Sequence, residues 1–500
     1  VTAPYAAAAP DISYSFGQAA GDLWQVAPIT AATVALLVAI GADLVLPSRR
    51  RGPVVAVLAV LGLLAALGLA AVRAWQGDGH SAYFGFATGD RFAAYFEVLL
   101  SVLGILTVMV SHAYVTRRDF LESEFHVLTL AAIVGMMVLA SATSLVTVFL
   151  GLETLSIALY VACGFARRET SSQEAAAKYL LVGGFASAFV LYGMALVYGA
   201  AGSTLLSDIA QRIGANEAQN PLLLLGVLLL SVGFAFKISG APFHQWTPDV
   251  YQGAPLPVTA FMSVGTKAAA FAMIIRVFVY ALPSLAGEWQ AVLAFVAATS
   301  MIVGNLLAIV QTSVKRLLAY SSVAQGGYIL VGVLAGGSRG IGAVLFYLFA
   351  YLFMNFGAFA VLTVLVTPEG ERDRLEDLDG LGIRHRWLGI LMSVFMLSLA
   401  GFPPLAGFFA KFFVFTAAVS AGWTWLVVIG VLTSVLSVAY YLRVVVHVYT
   451  PLPERREFAR TPGPLVAVTA SALLAVLLGI VPALVQGASL LSAGPVTRGH

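Results

Sequence analysis

The sequence predicts an all-α polytopic membrane protein: about fourteen transmembrane helices, holding two inverted five-helix repeats. Three observations predict it. Apolar residues make up 60% of the 500-residue chain, and Asp, Glu, Lys and Arg only 10%. The apolar residues fall in long runs joined by short polar connections. Two of those runs are interrupted by proline near their middles. A water-facing surface needs roughly a quarter of its residues charged, which this chain cannot supply, whereas a span needs only about 20 apolar residues.

The elements follow in order. The start, VTAPYAAAAPDISYSFGQ, lacks a basic n-region and reads as a short polar tail, with no cleavable signal. Spans 1 to 3 lie near 24–46, 53–75 and 91–115, so that residues 1–122 form an N-terminal unit. Spans 4 to 8 lie near 123–140, 143–165, 173–201, 220–252 and 256–283 and make the first repeat, 123–283. Spans 9 to 13 lie near 288–312, 315–335, 341–367, 384–419 and 423–449 and make the second, 288–449. Residues 450–500 hold span 14, near 463–486, and a C-terminal tail. Leu205 to Ile213 is amphipathic and suited to the membrane face. Pro368 to Arg386, rich in both signs of charge, reads as a surface loop.

Basic residues set the orientation. With the N-terminus outside, the inner loops carry sixteen Lys and Arg: Arg49 to Arg51, Arg117, Arg118, Arg167, Arg168, Lys315, Arg316, Arg372, Arg374, Arg384, Arg386, Arg455, Arg456 and Arg460. The outer loops carry five, Arg73, Arg91, Arg212, Arg339 and Arg498. This bias predicts both termini outside the cytoplasm; the membrane expected is a bacterial inner or cell membrane. A net charge of +3 spread along the chain implies no nucleic-acid partner. The single Cys163 excludes a cysteine-bound cluster or an internal disulfide, and no cofactor is expected in this chain.

Spans 7 and 12 are predicted to be broken. Span 7 contains KISGAPFHQW, with Gly240 and Pro242, and span 12 contains AGFPPLAGFFAK, with Pro403 and Pro404. Proline removes a backbone donor and clashes with the preceding turn. Open backbone at membrane depth is tolerated only inside protein or beside a wet cavity. The two spans run in opposite senses, and paired broken helices of this kind point to an inverted-repeat transporter core. Two ordinary proline kinks would be the plainer explanation.

An ionisable residue at bilayer depth costs about 2.5–3.5 kcal/mol on insertion scales, so each is either functional or paired to hold helices together. Glu153 lies near the middle of span 5, Lys237 five residues before Pro242, Lys267 near the middle of span 8, and Lys411 seven residues after Pro404. Lys178 lies near the start of span 6, where its ammonium can snorkel to the surface. His244 follows the span 7 break and is a candidate relay, because its charge changes near neutral pH. Arg276 and Arg443 do not release protons and read as pairing residues. Glu97, His112 and His126 lie nearer span ends and read as structural or interfacial. One carboxylate and several lysines, two of them beside helix breaks, suit proton passage better than recognition of a larger solute. No nucleotide loop is present, so the energy must come from elsewhere.

At these residues the chain resembles the antiporter-like membrane subunits of respiratory complex I, the proton-translocating NADH:quinone oxidoreductase, which are related to cation/proton antiporter subunits. Four stretches carry the resemblance: EAAAKYLLVGGFASAFVLYGMALVYGAAGST, KISGAPFHQWTPDVYQGAPLPVTAFMSVGTKAAAFA, KRLLAYSSVAQGGYILVG and GFPPLAGFFAKFFVF. It covers roughly residues 90 to 450. It implies fourteen helices with two inverted repeats and a central axis of protonatable residues, matching Glu153, Lys178, Lys237, Lys267 and Lys411. Glu153 and Lys237 would interact as a pair, and protons would pass through Lys267 to Lys411. The implied partners are the lipid bilayer and other membrane subunits of complex I, including a neighbouring antiporter-like subunit. Quinone and redox centres would lie elsewhere, with no direct NADH binding. Gln325, in SSVAQGG, stands where related chains often carry His; glutamine does not titrate, so no relay is expected through it. A subunit of a multi-subunit sodium/proton antiporter is the alternative. A third reading is a scaffold whose charges only join helices.

Overall fold

The computed structural model describes residues 16–497, apart from 78, 119, 215–219, 368–369 and 452–461. The tail before residue 16 and the charges Arg455, Arg456, Arg460 and Arg498 lie outside the described residues. The helices in chain order are α1 (Phe16–Gln25), α2 (Ala27–Val45), α3 (Ser48–Gln76), α4 (Arg91–Arg117), α5 (Glu122–Ser141), α6 (Leu145–Cys163) and α7 (Thr170–Ala201). Then come α8 (Leu206–Arg212), α9 (Pro221–Lys237), α10 (Trp246–Gly253), α11 (Leu256–Ile274, extended by a π turn over Ile275–Ala281), α12 (Ala286–Ile309), α13 (Val314–Ala335) and α14 (Gly337–Leu362). The last are α15 (Leu381–Arg384), α16 (Arg386–Ala400), α17 (Ala406–Ser420), α18 (Thr424–Tyr449), α19 (Pro462–Ile480) and α20 (Ala483–Thr497). A two-residue hairpin pairs Ser81 with Thr88 and Ala82 with Ala87 between α3 and α4.

Among the described residues twelve helices are long and apolar enough to cross a membrane. The chain is an integral membrane protein. The stretches read as spans 7 and 12 are each divided in two, α9 with α10 and α16 with α17. Polar caps mark several helix starts: Asp90 accepts from the Ala93 amide at 2.8 Å, Asn220 from Leu222 at 3.1 Å, and Ser313 from Arg316 at 3.2 Å. Helices α11, α13 and α14 are buried almost all round and form the centre of the core. Helices α3, α7 and α18 instead turn Leu61, Phe185 and Val435 outward, the apolar exposure expected of a surface that meets lipid.

Helix α6, which carries Glu153, is held against α5 by two reciprocal glycines. A Cβ on Gly151 would stand 2.7 Å from the Leu139 amide nitrogen, and one on Gly135 would stand 2.5 Å from that of Leu155. The helices can approach this closely only because both positions lack a side chain. Gly151→Val is expected to destabilise the chain by about 1–3 kcal/mol through overpacking, read as a lower midpoint of thermal unfolding in detergent.

Arg73, read as an outer-loop charge, is buried in the last turn of α3. It lies 3.9 Å from the wholly buried Glu97 and donates to the Gln25 carbonyl. Beside it Arg276 grips Asp90 with two bonds, 2.9 and 3.1 Å, and donates to the Ala140 carbonyl at 2.7 Å. This cluster ties α3, α4, α5 and α11 together at one end of the bundle. The amphipathic segment after α7 forms α8 and buries Leu206 and Ile209. The C-terminal residues, read as a tail, form α20, which packs on α14 and α4.

Candidate functional site

The site begins at the two breaks. A helix end leaves its last carbonyls without intrahelical partners and presents the negative end of the macrodipole, so a cation there is well placed. Helix α9 ends at Lys237; Ser239 takes a φ of +63° and Pro242 follows. Helix α16 ends at Ala400, and Gly401, at φ +94°, turns the chain toward Pro403 and Pro404. Lys267 donates to the Ile238 carbonyl at 3.1 Å, just past α9, and to the Ser322 carbonyl at 2.5 Å. Lys411 donates to the carbonyls of Leu399 at 3.2 Å and Ala400 at 3.0 Å, and to the Ser434 hydroxyl at 2.7 Å. Each broken helix thus has its loose carbonyls held by a buried lysine, one from α11 and one from α17.

Lys237, also buried, donates to the Ser156 hydroxyl at 2.7 Å and sits 5.8 Å from the ring centres of both Tyr160 and Tyr179. None of these three lysines has an ion-pair partner among the described residues. Glu153 lies in the electrostatic reach of Lys237 but does not contact it. The hydrogen bond of Lys237 goes instead to Ser156, one turn further along α6. Glu153 is half-buried beside the exposed Thr154 and Ile157, and its Oε1 is buried without a hydrogen-bond partner. It stands at a lateral flank of the molecule. Lys411 stands at a flank as well, lining a cavity of about 790 Å³ with Phe408, Phe412, Phe415, Val431 and Val435.

Polar groups connect Lys267 with Lys411. Ser321, beside the Ser322 carbonyl that Lys267 holds, bonds the Tyr441 hydroxyl. Gln325 donates to Tyr441 at 3.2 Å and to the Leu399 carbonyl, the same oxygen that Lys411 holds, at 3.2 Å. Tyr347 donates to the Gln325 carbonyl oxygen. Gln325 thus occupies the middle of the link while being unable to titrate. It holds two hydroxyls in place, and the exchangeable protons between the lysines are those of Ser321, Tyr441 and Tyr347. Sequence reasoning missed these hydroxyls, because a tyrosine in an apolar span gives no signal by itself.

Lys178 lies apart from this buried line. Its side chain is 42% exposed and pairs with Glu174 at 2.7 Å and Asp249 at 2.8 Å. Asp249, on α10, also binds Arg316 at 2.8 Å. These residues border a polar cavity of about 450 Å³ with Glu169, Glu371 and Asp373. Of the stretch read as a surface loop, the described residues 370–386 do more than meet solvent. Asp373 accepts from Ser313 at 2.5 Å, and Glu371 from Tyr114 and Lys315, both at 2.6 Å. Lys315, counted with the inner-loop charges, is 1% exposed. Of these acidic residues, Glu174 had a readable signal, its four-residue spacing to Lys178, and Asp249 another, its place just after the break. An exposed ion pair is worth about 1 kcal/mol or less. Lys178→Ala is accordingly expected to lower turnover-linked transport by less than about fivefold, measured beside Lys237→Ala in the same membranes.

His244 is half-buried against the Tyr320 ring, with centroids 6.2 Å apart, and its Nδ1 has no hydrogen-bond partner. Among the described residues it makes no hydrogen bond to Lys237, Lys267 or Lys411. Arg443 donates to the carbonyls of Ile309 at 2.7 Å and Gln311 at 2.5 Å and so caps the end of α12.

The matching family model, described as NADH:quinone oxidoreductase/Mrp antiporter, TM, covers residues 142–437. A relative from Trichlorobacter lovleyi named NADH-quinone oxidoreductase subunit N is 45% identical over 443 residues, 88% of this chain and 90% of its own length. A chain of respiratory complex I from Thermus thermophilus with bound aureothin is 37% identical, with a TM-score of 0.79 over 92% of this chain and 98% of that one. A chain of the Mrp complex from Dietzia sp. shares the fold, with a TM-score of 0.83 over 97% of this chain and 98% of that one, at 22% identity.

Proposed function

We propose, from its membership of the NADH:quinone oxidoreductase/Mrp antiporter transmembrane family, that the chain is the subunit N-type, antiporter-like proton-translocating subunit of complex I. The observation that carries the mechanism is the placement of Lys237, Lys267 and Lys411, each buried and bonded only to neutral oxygens. Holding an ammonium in the membrane without a counter-ion is costly, so the proton on each is exchangeable. Lys237 would exchange with Glu153 through Ser156. Lys267 would pass a proton to Lys411 through the hydroxyls around Tyr441, assisted by water. The polar cavity around Lys178 would be the entry on the arginine-rich side, and release would follow from Lys411 on the other side.

The wider reading rests on the same features. The two breaks, each with a lysine on its loose carbonyls, support two inverted repeats, 123–283 and 288–449. Counting each divided stretch as one crossing gives fourteen spans with both termini outside. Glu153 on one flank and Lys411 on the other would face neighbouring membrane subunits. Quinone reduction in other subunits would supply the energy, and this chain would carry no redox centre and bind no NADH. The sodium/proton antiporter reading has less support, because its structural relative is only 22% identical.

The test uses sealed vesicles holding the assembled complex. NADH oxidation is expected to acidify the vesicle interior at the same rate in sodium-free and sodium-containing buffer. A requirement for sodium would overturn this proposal in favour of the antiporter reading.

A further inference from the structure

A second pocket, arginine-lined over an aromatic floor, lies away from the buried lysines, on the arginine-rich face. It has a volume of about 140 Å³ and is lined by Arg118, Phe120, Leu121, Phe165, Arg167 and Arg168. The loop after α4 supplies the first three and the loop after α6 the others. Phe120 and Phe165 make the floor, with ring centroids 6.0 Å apart. Arg118 is anchored by Glu169 and lies over the Phe120 ring at 5.8 Å. Arg167 reaches Glu124 at 3.1 Å while 72% exposed. Arg168 is exposed and has no carboxylate partner among the described residues. Three guanidiniums over an aromatic floor exceed what two partly exposed carboxylates neutralise.

The surface leading away from this pocket is apolar next to it, and Thr154 and Glu153 interrupt it further along α6. Leu150, Ile157 and Val161 share one outward face of α6 and are all exposed. That face ends at the loop carrying Arg167 and Arg168, and Leu121 on the pocket rim is exposed as well. Guanidinium binds phosphate through paired hydrogen bonds, and basic pockets at the cytoplasmic ends of membrane helices suit anionic headgroups. A free phosphate would use the arginines alone, whereas a phospholipid would use both the arginines and the apolar stripe beside them. We propose that this pocket binds the phosphate headgroup of an anionic phospholipid, with an acyl chain along Ile157 and Val161, at the pocket end of the α6 face and short of Glu153.

The test uses the full chain, purified in a neutral detergent and titrated with dioleoylphosphatidylglycerol while bound lipid is counted by native mass spectrometry. Binding is expected to weaken about fivefold in Arg168→Gln and about fivefold again in Arg167→Gln/Arg168→Gln. Arg386→Gln, on the same face of the second repeat, is expected to bind as the wild type does, and dioleoylphosphatidylcholine to bind weakly to all. Arg168→Glu, at an exposed position, serves should the double variant fold poorly, and is expected to weaken binding more than Arg168→Gln. Undiminished phosphatidylglycerol binding in the Arg168 variants would overturn the proposal, as would an equal loss in Arg386→Gln. Full displacement by millimolar inorganic phosphate would mark a free-anion site and overturn it too. So would capture of the pocket by an acidic segment of a neighbouring subunit in the assembled complex.

Discussion

Replacing Lys237 by alanine is expected to lower NADH-driven proton translocation by about a hundredfold, the lower end of what a positioned proton-transfer group contributes. Lys237 holds the one ammonium bonded to Ser156 and lies at the end of α9, where the backbone opens. No other lysine can stand in for it at Ser156, because Lys267 is held at the Ile238 and Ser322 carbonyls. Lys237→Arg separates this account from the scaffold reading. Arginine keeps a positive charge among Ser156, Tyr160 and Tyr179 but does not release its proton at neutral pH. The variant is expected to assemble and yet fail to translocate. A scaffold would accept arginine and translocate normally. The measurement is vesicle acidification, with the amount of assembled complex determined in parallel.

The largest stability effect is expected at the buried Asp90–Arg276 pair. Arg276→Ala leaves the Asp90 carboxylate buried without its guanidinium, and breaking such a pair costs about 3–5 kcal/mol. The partly exposed Arg51–Asp43 pair, 3.9 Å apart, offers the contrast: Arg51→Ala should cost about 1 kcal/mol or less. Asp90→Asn with Arg276→Met is expected to recover most of the Arg276→Ala loss, because neither side chain is then charged and asparagine can still cap the Ala93 amide. Thermal unfolding of the purified full chain in detergent reads all three.

Much of the architecture was legible because it rests on one strong signal. Long apolar runs become helices in a membrane, since every backbone polar group must be satisfied within the segment. The breaks were legible for the same reason read in reverse, because Pro242 and Pro404 remove donors that a continuous helix needs. What the sequence did not disclose depends on how helices are offset against one another. Lys178 was read as able to snorkel to the surface, but its carboxylate-lined cavity was not legible; the cavity forms because the 32-residue helix is longer than a membrane requires. Glu153 and Lys237 were expected to interact as a pair, but which α6 side chain bonds the lysine was not legible: the rotation of α6 gives it Ser156 and turns Glu153 toward the flank. Lys315 and Arg73 were counted as loop charges because they follow apolar runs, yet Glu371 and Glu97 fold over them. Glu371 and Asp373 come from a stretch whose mixed charge suggested only solvent. Gln325 was set aside for lack of a titratable proton, and its place among Ser321, Tyr441 and Tyr347 appears only once α13, α14 and α18 are packed.

The central claim is that protons cross through the buried line from Lys237 to Lys411, driven by redox chemistry elsewhere in the complex. The ratio of protons translocated to NADH oxidised, measured in sealed vesicles carrying the assembled complex with Lys411→Ala, tests it most directly. The account predicts a ratio below that of the wild type, or turnover that stalls with translocation. Full NADH oxidation at an unchanged ratio would contradict it.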